Sequence, residues 1–276
     1  MSSVIIDKLD LFIRQNPGLL VLTGAGISTA SGIPDYRDEE GAWKLPQPMT
    51  FAEFKASHRA RQRYWARSTL GWPRFDRAQP NEAHRALAEL ESLGFIDTLI
   101  TQNVDRLHHL AGHNKVISLH GLLHEVLCLD CGAVIPRRQM QQALIEANPA
   151  LSDITVRQAP DGDAQLKHFD FTSMAIPECK ACDGVLKPNV VFFGESVPRS
   201  RVELGQLALQ RADALLVVGS SLQVFSGYRF VRDAVEQGKP VAAINLGTTR
   251  ADDLLQLRVK KHCGPVLKQL AKTLAA

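Results

Sequence analysis

Long apolar runs are scarce in this 276-residue chain: stretches such as Ala214-Leu215-Leu216-Val217-Val218 fall far short of the roughly 20 residues a membrane-spanning helix requires. The N-terminus, Met1-Ser2-Ser3-Val4-Ile5-Ile6-Asp7-Lys8, lacks a basic region followed by an apolar stretch, and it lacks an Arg- and Ser-rich transit segment. A cytoplasmic protein with no membrane partner is therefore expected. Strong charge of one sign is also missing. The formal net charge of +3 is spread along the chain, which argues against nucleic acid as the main ligand. The basic run Arg59-Ala60-Arg61-Gln62-Arg63 reads as a solvated helix face. Repeats and low-complexity tracts are absent, and so is a disulfide framework. The five cysteines are an odd number, and four of them form two CxxC pairs, the pattern of a metal site in a reducing compartment. A monomer is the expectation.

What is present is a strand-and-helix alternation. Leu19-Leu20-Val21-Leu22 is a β-type run that ends at the turn Thr23-Gly24-Ala25-Gly26. Short apolar segments at 96–101, 116–119, 190–193, 215–218 and 241–245, each bounded by turn residues, predict further strands buried on both faces. Asn81 can cap a helix that sets Ala83, Leu87 and Leu90 on one face and stops at Gly94. Other helices are predicted at about 201–211 and 227–236, the latter ended by Gly238-Lys239-Pro240. Such alternation predicts an α/β fold, a Rossmann-like doubly wound parallel sheet. Residues 121–187 break the rhythm with both cysteine pairs and the polar run Ala159-Pro160-Asp161-Gly162-Asp163. They predict a small inserted zinc-binding domain, leaving 1–120 and 188–276 as one discontinuous domain.

Cys128-Leu129-Asp130-Cys131 and Cys179-Lys180-Ala181-Cys182 each place two thiolates on a knuckle turn, and two knuckles complete a tetrahedral zinc site. The segment between the pairs is longer than the roughly 15–20 residues usual in zinc ribbons. Four thiolates leave no open position, so the ion is expected to be structural. Cys263 stands alone.

Gly24-Ala25-Gly26-Ile27-Ser28 follows a strand, as a dinucleotide loop does, and a helix start after it would favour a pyrophosphate charge. Its third glycine is missing, since Thr29 stands there, and an ordinary tight turn reads equally well. Nearby, Gly32-Ile33-Pro34-Asp35-Tyr36-Arg37 sets an acid, an aromatic and a guanidinium together. Thr101-Gln102-Asn103-Val104-Asp105, Gly219-Ser220-Ser221 and Asn245-Leu246-Gly247 all follow strands, where open α/β sheets place ligands. Among nine histidines, His120 ends a strand before the insert. An imidazole there suits a general base, although a structural hydrogen-bonding role fits a lone histidine as well.

Taken together, GAGIS, GIPDYR, TQNVD, LHG, the two CxxC pairs, KPNVVFFGE and VVGSSLQV resemble the sirtuin family of NAD-dependent protein deacylases, over about residues 15–265. The stretches at 61–73, 126–132, 159–163 and 221–230 resemble its class II branch, which includes the fourth mammalian sirtuin. That resemblance implies that Gly24, Ala25, Gly26, Ile27, Ser28, Pro34, Asp35, Tyr36 and Arg37 form the cofactor loop. Gln102, Asn103 and Asp105 would line the ribose and nicotinamide pocket. Gly219, Ser220, Ser221, Asn245, Leu246, Gly247 and the backbone near Cys263 would hold the rest of the NAD. Many sirtuins have Phe where Tyr36 stands.

By the same resemblance, Asn103, Asp105 and His120 are catalytic. The acyl oxygen of an acylated-lysine protein or peptide attacks the ribose carbon, and His120 draws a proton from the ribose hydroxyl relay. The products are lysine, nicotinamide and O-acyl-ADP-ribose. The peptide would pair with Val190-Val191-Phe192-Phe193-Gly194 and with the chain near Val224. Tyr64 and Arg67 match the Tyr and Arg spacing of a branch that removes acidic acyl groups, and an acyl group bulkier than acetyl is expected. As helix-face residues, Tyr64 reads equally as core and Arg67 as solvated. ADP-ribosyl transfer to protein, an idle NAD-sensing adaptor and a dehydrogenase remain as alternatives.

Overall fold

The computed structural model describes residues 3–44, 46–153, 157–158, 164–165 and 171–276; the run 159–163 singled out above lies outside them. Along the chain come α1 (Ser3–Gln15), β1 (Leu19–Thr23), α2 (Phe51–Ala56), α3 (His58–Asp76), α4 (Glu82–Ser92), β2 (Ile96–Thr101), α5 (Leu107–Leu110) and β3 (Val116–Ser118). Next are β4 (Gly121–Cys128), β5 (Val134–Pro136), α6 (Arg137–Ala147), the two-residue strands β6 (Arg157–Gln158) and β7 (Ala164–Gln165), and β8 (Leu186–Val190). The remainder holds α7 (Arg199–Arg211), β9 (Ala214–Val218), α8 (Phe225–Glu236), β10 (Val241–Ile244), β11 (Leu257–Val259) and α9 (Cys263–Leu274).

Two compact units result. The first comprises residues 1–44, 79–119 and 197–276. Its sheet runs β3-β2-β1-β9-β10-β11, every pair parallel. In β1 all five residues are buried, because alternate side chains feed two separate cores. Leu19 and Val21 pack with Leu9 and Ile13 of α1, Leu87 and Leu90 of α4, and Leu267 and Leu270 of α9. Leu20 and Leu22 face the other way, onto Leu209 of α7 and Phe230 and Val231 of α8. Each fully buried leucine contributes about 1.5–3 kcal/mol over an exposed one. Asn81 caps α4 through Oδ1, which accepts from Ala83 N–H at 2.9 Å, and Gly94 follows the last turn with φ +83°.

The second unit comprises residues 45–78 and 120–196. It is wider than the insert expected from sequence, since it also takes in α2 and α3. The physical reason is the buried side of α3. Trp65 is fully buried in one core with Phe54, Met140, Leu144 and Leu186, and its indole N–H donates to Leu186 O at 3.3 Å. Gln62 adds two bonds from Nε2, to Thr172 O (2.9 Å) and Met174 O (2.8 Å). Arg137, at the start of α6, is also fully buried. Its guanidinium lies 5.3 Å and 4.9 Å from the ring centres of Trp65 and Trp72 and donates to Ser68 Oγ at 3.3 Å. Its Nε and Nη1 have no hydrogen-bond partner among the described residues, so the indole faces are what meet the charge there.

The unit's sheet, β5-β4-β8, is antiparallel. The strand predicted at 190–193 is displaced: β8 starts at Leu186 and ends at Val190. Lys187-Pro188 reads as a break in sequence, yet Pro188 pairs opposite Val126. Proline is tolerated there because β8 is an edge strand and a missing N–H costs the ladder little.

Candidate active site and metal centre

In the first unit the strand order reverses direction between β1 and β9, and the glycine turns sit at that point. Gly24 N–H donates to Val218 O (3.2 Å) and Gly26 N–H to Gly219 O (2.8 Å). A Cβ on Gly26 would lie 2.9 Å from that same carbonyl, and Gly219 itself has φ +60°. Only glycine allows this approach of two backbones. The helix start expected after the loop is not an α-helix. Ala25–Ile27 and Thr29–Ser31 are single 3-10 turns, and the N–H groups of Gly24, Gly26, Ile27 and Ser28 are all used internally. A short turn sums few peptide dipoles, so little anion stabilisation comes from that source. The side chain of Ile27 is buried in the core, leaving only its backbone to face a ligand.

Polar side chains from three strand ends interlock around this turn. Gln102 Nε2 donates to Ser220 Oγ at 2.7 Å and Thr23 O at 3.3 Å. Asn103 Nδ2 donates to Gly24 O (3.1 Å) and Ser28 Oγ (3.0 Å). Ser28 Oγ donates in turn to Asp105 Oδ2 at 2.6 Å, and Leu107 N–H reaches Asp105 Oδ1 at 2.9 Å. Burial pushes the Asp105 carboxyl above its ordinary range, and these two donors pull it part of the way back. Cys263 Sγ lies 4.0 Å from Gly26 O, its thiol raised to about 11 by burial.

The segment after Pro34 folds over the end of β10. Arg37 stacks 4.1 Å from the centre of the Trp43 ring and donates to Gly41 O at 2.7 Å, while Tyr36 meets Trp43 edge-on and Asp35 pairs with Lys44 at 2.7 Å. Glu39 O accepts from Thr248 N–H at 2.9 Å. A Cβ on Gly247 would lie 2.5 Å from this oxygen. Asn245 Nδ2 donates to Gly247 O at 3.0 Å, half-buried Leu246 lies between them, and Ser221 O accepts from Arg250 N–H at 2.9 Å.

In the second unit, half-buried His120 stands in the turn before β4, and its carbonyl accepts from Val191 N–H at 2.8 Å. Val191 to Gly194 form a turn: Phe192 N–H donates to Glu195 Oε2 (2.8 Å) and Phe193 O accepts from Phe51 N–H (2.9 Å). Lys187 Nζ reaches Val190 O and, at 3.1 Å, Glu195. Tyr64 is 6% exposed, its ring centre 5.2 Å from that of Phe192 and 5.4 Å from that of Phe54, so its ring is core; Arg67 is half-buried.

The four cysteines of the two knuckles converge, all sulfurs lying within 4.8 Å of one another. Cys128 and Cys182 are 3.6 Å apart and Cys131 and Cys179 are 3.7 Å apart. A tetrahedron with zinc–sulfur bonds of about 2.3 Å has edges of about 3.8 Å, so the set fits zinc without rearrangement. Cys131 and Asp130 N–H groups hold the Cys128 thiol down at about 7, whereas the sulfurs of Cys131 and Cys128 beside it push Cys182 up to about 12. Four thiolates together therefore require a cation. Asp130 Oδ2 ties the knuckles by accepting from Val185 N–H at 2.8 Å.

The description "Sir2 family" matches residues 24–226. The chain belongs to the Sir2 family. It is 56% identical over 256 residues to an "NAD-dependent protein deacetylase" of Xanthomonas axonopodis pv. citri (strain 306), covering 93% of this chain and 87% of the relative. An "NAD-dependent protein deacetylase 2" of Bradyrhizobium diazoefficiens is 55% identical over 261 residues, covering 95% and 96%. A solved chain described as "Structural Basis for the Mechanism and Regulation of Sir2 Enzymes" superposes with a TM-score of 0.77 at 29% identity, covering 99% and 98%. Another, "Sir2-p53 peptide-NAD+", gives 0.73 at 30%, covering 97% of each chain.

This Sir2 family member carries supports that sequence reasoning missed. Asn81 was legible as a helix cap, but its Nδ2 also donates to Ile27 O (2.7 Å) and Ser31 Oγ (2.9 Å), bracing the glycine turn. Behind β1, the ring of His108 lies 4.8 Å from that of His84, tilted, and 5.0 Å from that of His113, edge-on. His108 bonds Thr23 Oγ1 at 3.0 Å and His113 bonds Glu91 at 2.9 Å. Burial keeps all three imidazoles neutral, His84 down at about 3. Trp43 gave no signal either, because its partner Arg37 is fixed by a turn and not by a period. No described helix is long and apolar enough to cross a membrane.

Proposed function

We propose that the protein is an NAD-dependent protein-lysine deacylase whose NAD is held at the reversal point of the first unit's sheet. The observation that carries this is the interlocked set Ser28, Gln102, Asn103, Asp105 and Ser220 around two backbones that meet at Gly26 and Gly219. When bound, NAD supplies a ribose carbon that loses nicotinamide to an attacking acyl oxygen. Asn103 and Asp105 orient that end, and Ser28 fixes both of them, so their polar atoms stand in place before the ligand arrives. The segment Asp35 to Arg37 covers the far side near Asn245. His120 accepts the proton of the attacking ribose hydroxyl, a task within reach of an imidazole near neutral pH. Cys128, Cys131, Cys179 and Cys182 hold one structural zinc. An extended acyl-lysine peptide adds to the edge strand β8 and the turn beyond it in the second unit; in the first unit, the chain near Val224 is also read as substrate-binding.

The finer reading places the chain in the class II branch. It gives the enzyme an acyl group bulkier than acetyl, with Tyr64 and half-buried Arg67 of α3 as its contacts. What supports it is their shared helix and the packing of Tyr64 on Phe192. The test is mass spectrometry of products from a panel of acyl-lysine peptides with NAD. O-acyl-ADP-ribose and free lysine are expected, while label left on protein with no acyl transfer would overturn the reaction. Acetyl-lysine turning over fastest would overturn the acyl preference alone.

A further inference from the structure

We infer that Arg229 and Arg250 form a recognition surface for acidic residues flanking the acyl-lysine in the substrate, an inference that rests on the reading of Val224 as substrate-binding. Val224 and Phe225, at the start of α8, are large apolar side chains left 39% and 45% exposed. Arginines surround them. Arg229, one turn along α8, lies 5.2 Å from the Phe225 ring centre, and Arg250 lies 4.4 Å from that of Tyr228. The N–H of Arg250 also donates to Ser221 O at 2.9 Å, fixing its backbone beside the Ser221-to-Val224 segment.

Three of the nearby acids are committed elsewhere, and Asp253 is exposed. Asp233 and Glu236 pair with Arg232 at 2.8 Å and 3.4 Å, and Asp252 pairs with Arg258 at 2.9 Å and accepts from Thr249. Arg229 and Arg250 have no ion-pair partner among the described residues. A guanidinium stacked on a ring loses little freedom on meeting a carboxylate; the Nε of Arg229 is buried, so its Nη groups are the ones that meet it. Two such groups beside an exposed apolar pair match an extended peptide that carries Asp or Glu next to an apolar residue.

The experiment uses the full-length, zinc-loaded protein with acyl-lysine peptides of one length and acidic, neutral or lysine flanks. Both turnover with NAD and binding by fluorescence anisotropy are measured. Acidic flanks are expected to lower KM and Kd about tenfold against lysine flanks at low salt, with kcat the same and the preference fading at high salt. Arg229→Glu with Arg250→Glu is expected to reverse the order, and Arg229→Gln with Arg250→Gln to abolish it; both pairs are checked for unchanged melting. Equal binding of all three peptides, or a preference that survives in the double variants, overturns the inference. Tighter binding of the acidic peptide without turnover of any peptide supports the surface and overturns the deacylase reading instead.

Discussion

Ser28→Ala isolates the bond that organises the NAD pocket. Ser28 is 1% exposed, and its hydroxyl donates to Asp105 Oδ2 at 2.6 Å while accepting from Asn103 Nδ2 at 3.0 Å. A bond to a charged acceptor contributes about 1.5–3 kcal/mol and a neutral one about 1 kcal/mol, so the variant is expected to lose about 2–4 kcal/mol. The loss has a definite pH dependence. The folded Asp105 carboxyl titrates above its unfolded value of 3.8, so it destabilises the fold when ionised, and stability falls as pH rises from 3.8 through the folded value. Removing a donor raises the folded value further and widens that window. The loss therefore grows as pH rises through that window, and a cycle with Asp105→Asn should return a coupling of about 1.5–3 kcal/mol. Urea unfolding of the four proteins across a pH series from acid to alkaline measures it. A loss below about 0.5 kcal/mol, or one that nowhere grows with pH, would refute the reasoning.

Cys182→Ser should leave the protein without its one zinc and lower Tm by about 10 °C, read by metal analysis and calorimetry; full zinc content in the variant would count against four-thiolate ligation. In Gly26→Ala the new methyl meets Gly219 O, costing about 1–3 kcal/mol and weakening NAD binding in a calorimetric titration, and undiminished affinity would contradict the pocket's placement. His84 is held down at about 3, with His108 and His113 also lowered, so the unfolded chain takes up protons that the folded one refuses. Each such imidazole makes stability fall by up to about 1.4 kcal/mol per pH unit as pH drops below 6.5, and His84→Phe should remove one proton from the uptake measured on unfolding at pH 5. Arg137→Met should stay within about 1 kcal/mol of the parent, because relief of a buried cation offsets the lost ring contacts, whereas Arg137→Ala should lose about 3 kcal/mol; denaturation midpoints decide.

The strands β1, β2, β9 and β10 were legible because residues buried on both faces leave unbroken apolar runs, and Asn81 and Gly94 marked α4 at both ends. The polar residues after those strands were equally visible, since an open parallel sheet collects ligands there. Pairing was not visible. Ser28 and Asp105 lie 77 residues apart, and neither period nor turn chemistry encodes that they meet. Nor does an amphipathic pattern say which sheet a helix covers, which is why α3 was expected with residues 1–120. The strand expected at 190–193 lies at Leu186–Val190, where Pro188 fits only because β8 is an edge, a property of the sheet and not of the strand.

The central strand β1 sets a timetable for assembly. It is bonded to β2 on one edge and to β9 on the other, and Gly18 N–H beside it reaches Asp213 Oδ2 across 195 positions. On a ribosome this buried strand emerges before both partners and keeps one edge open until β9 has followed. Closing such a distant pair makes refolding slow, and chains cut short before Ala214 keep that edge exposed to one another. Such nascent or truncated chains are the forms most in need of a chaperone.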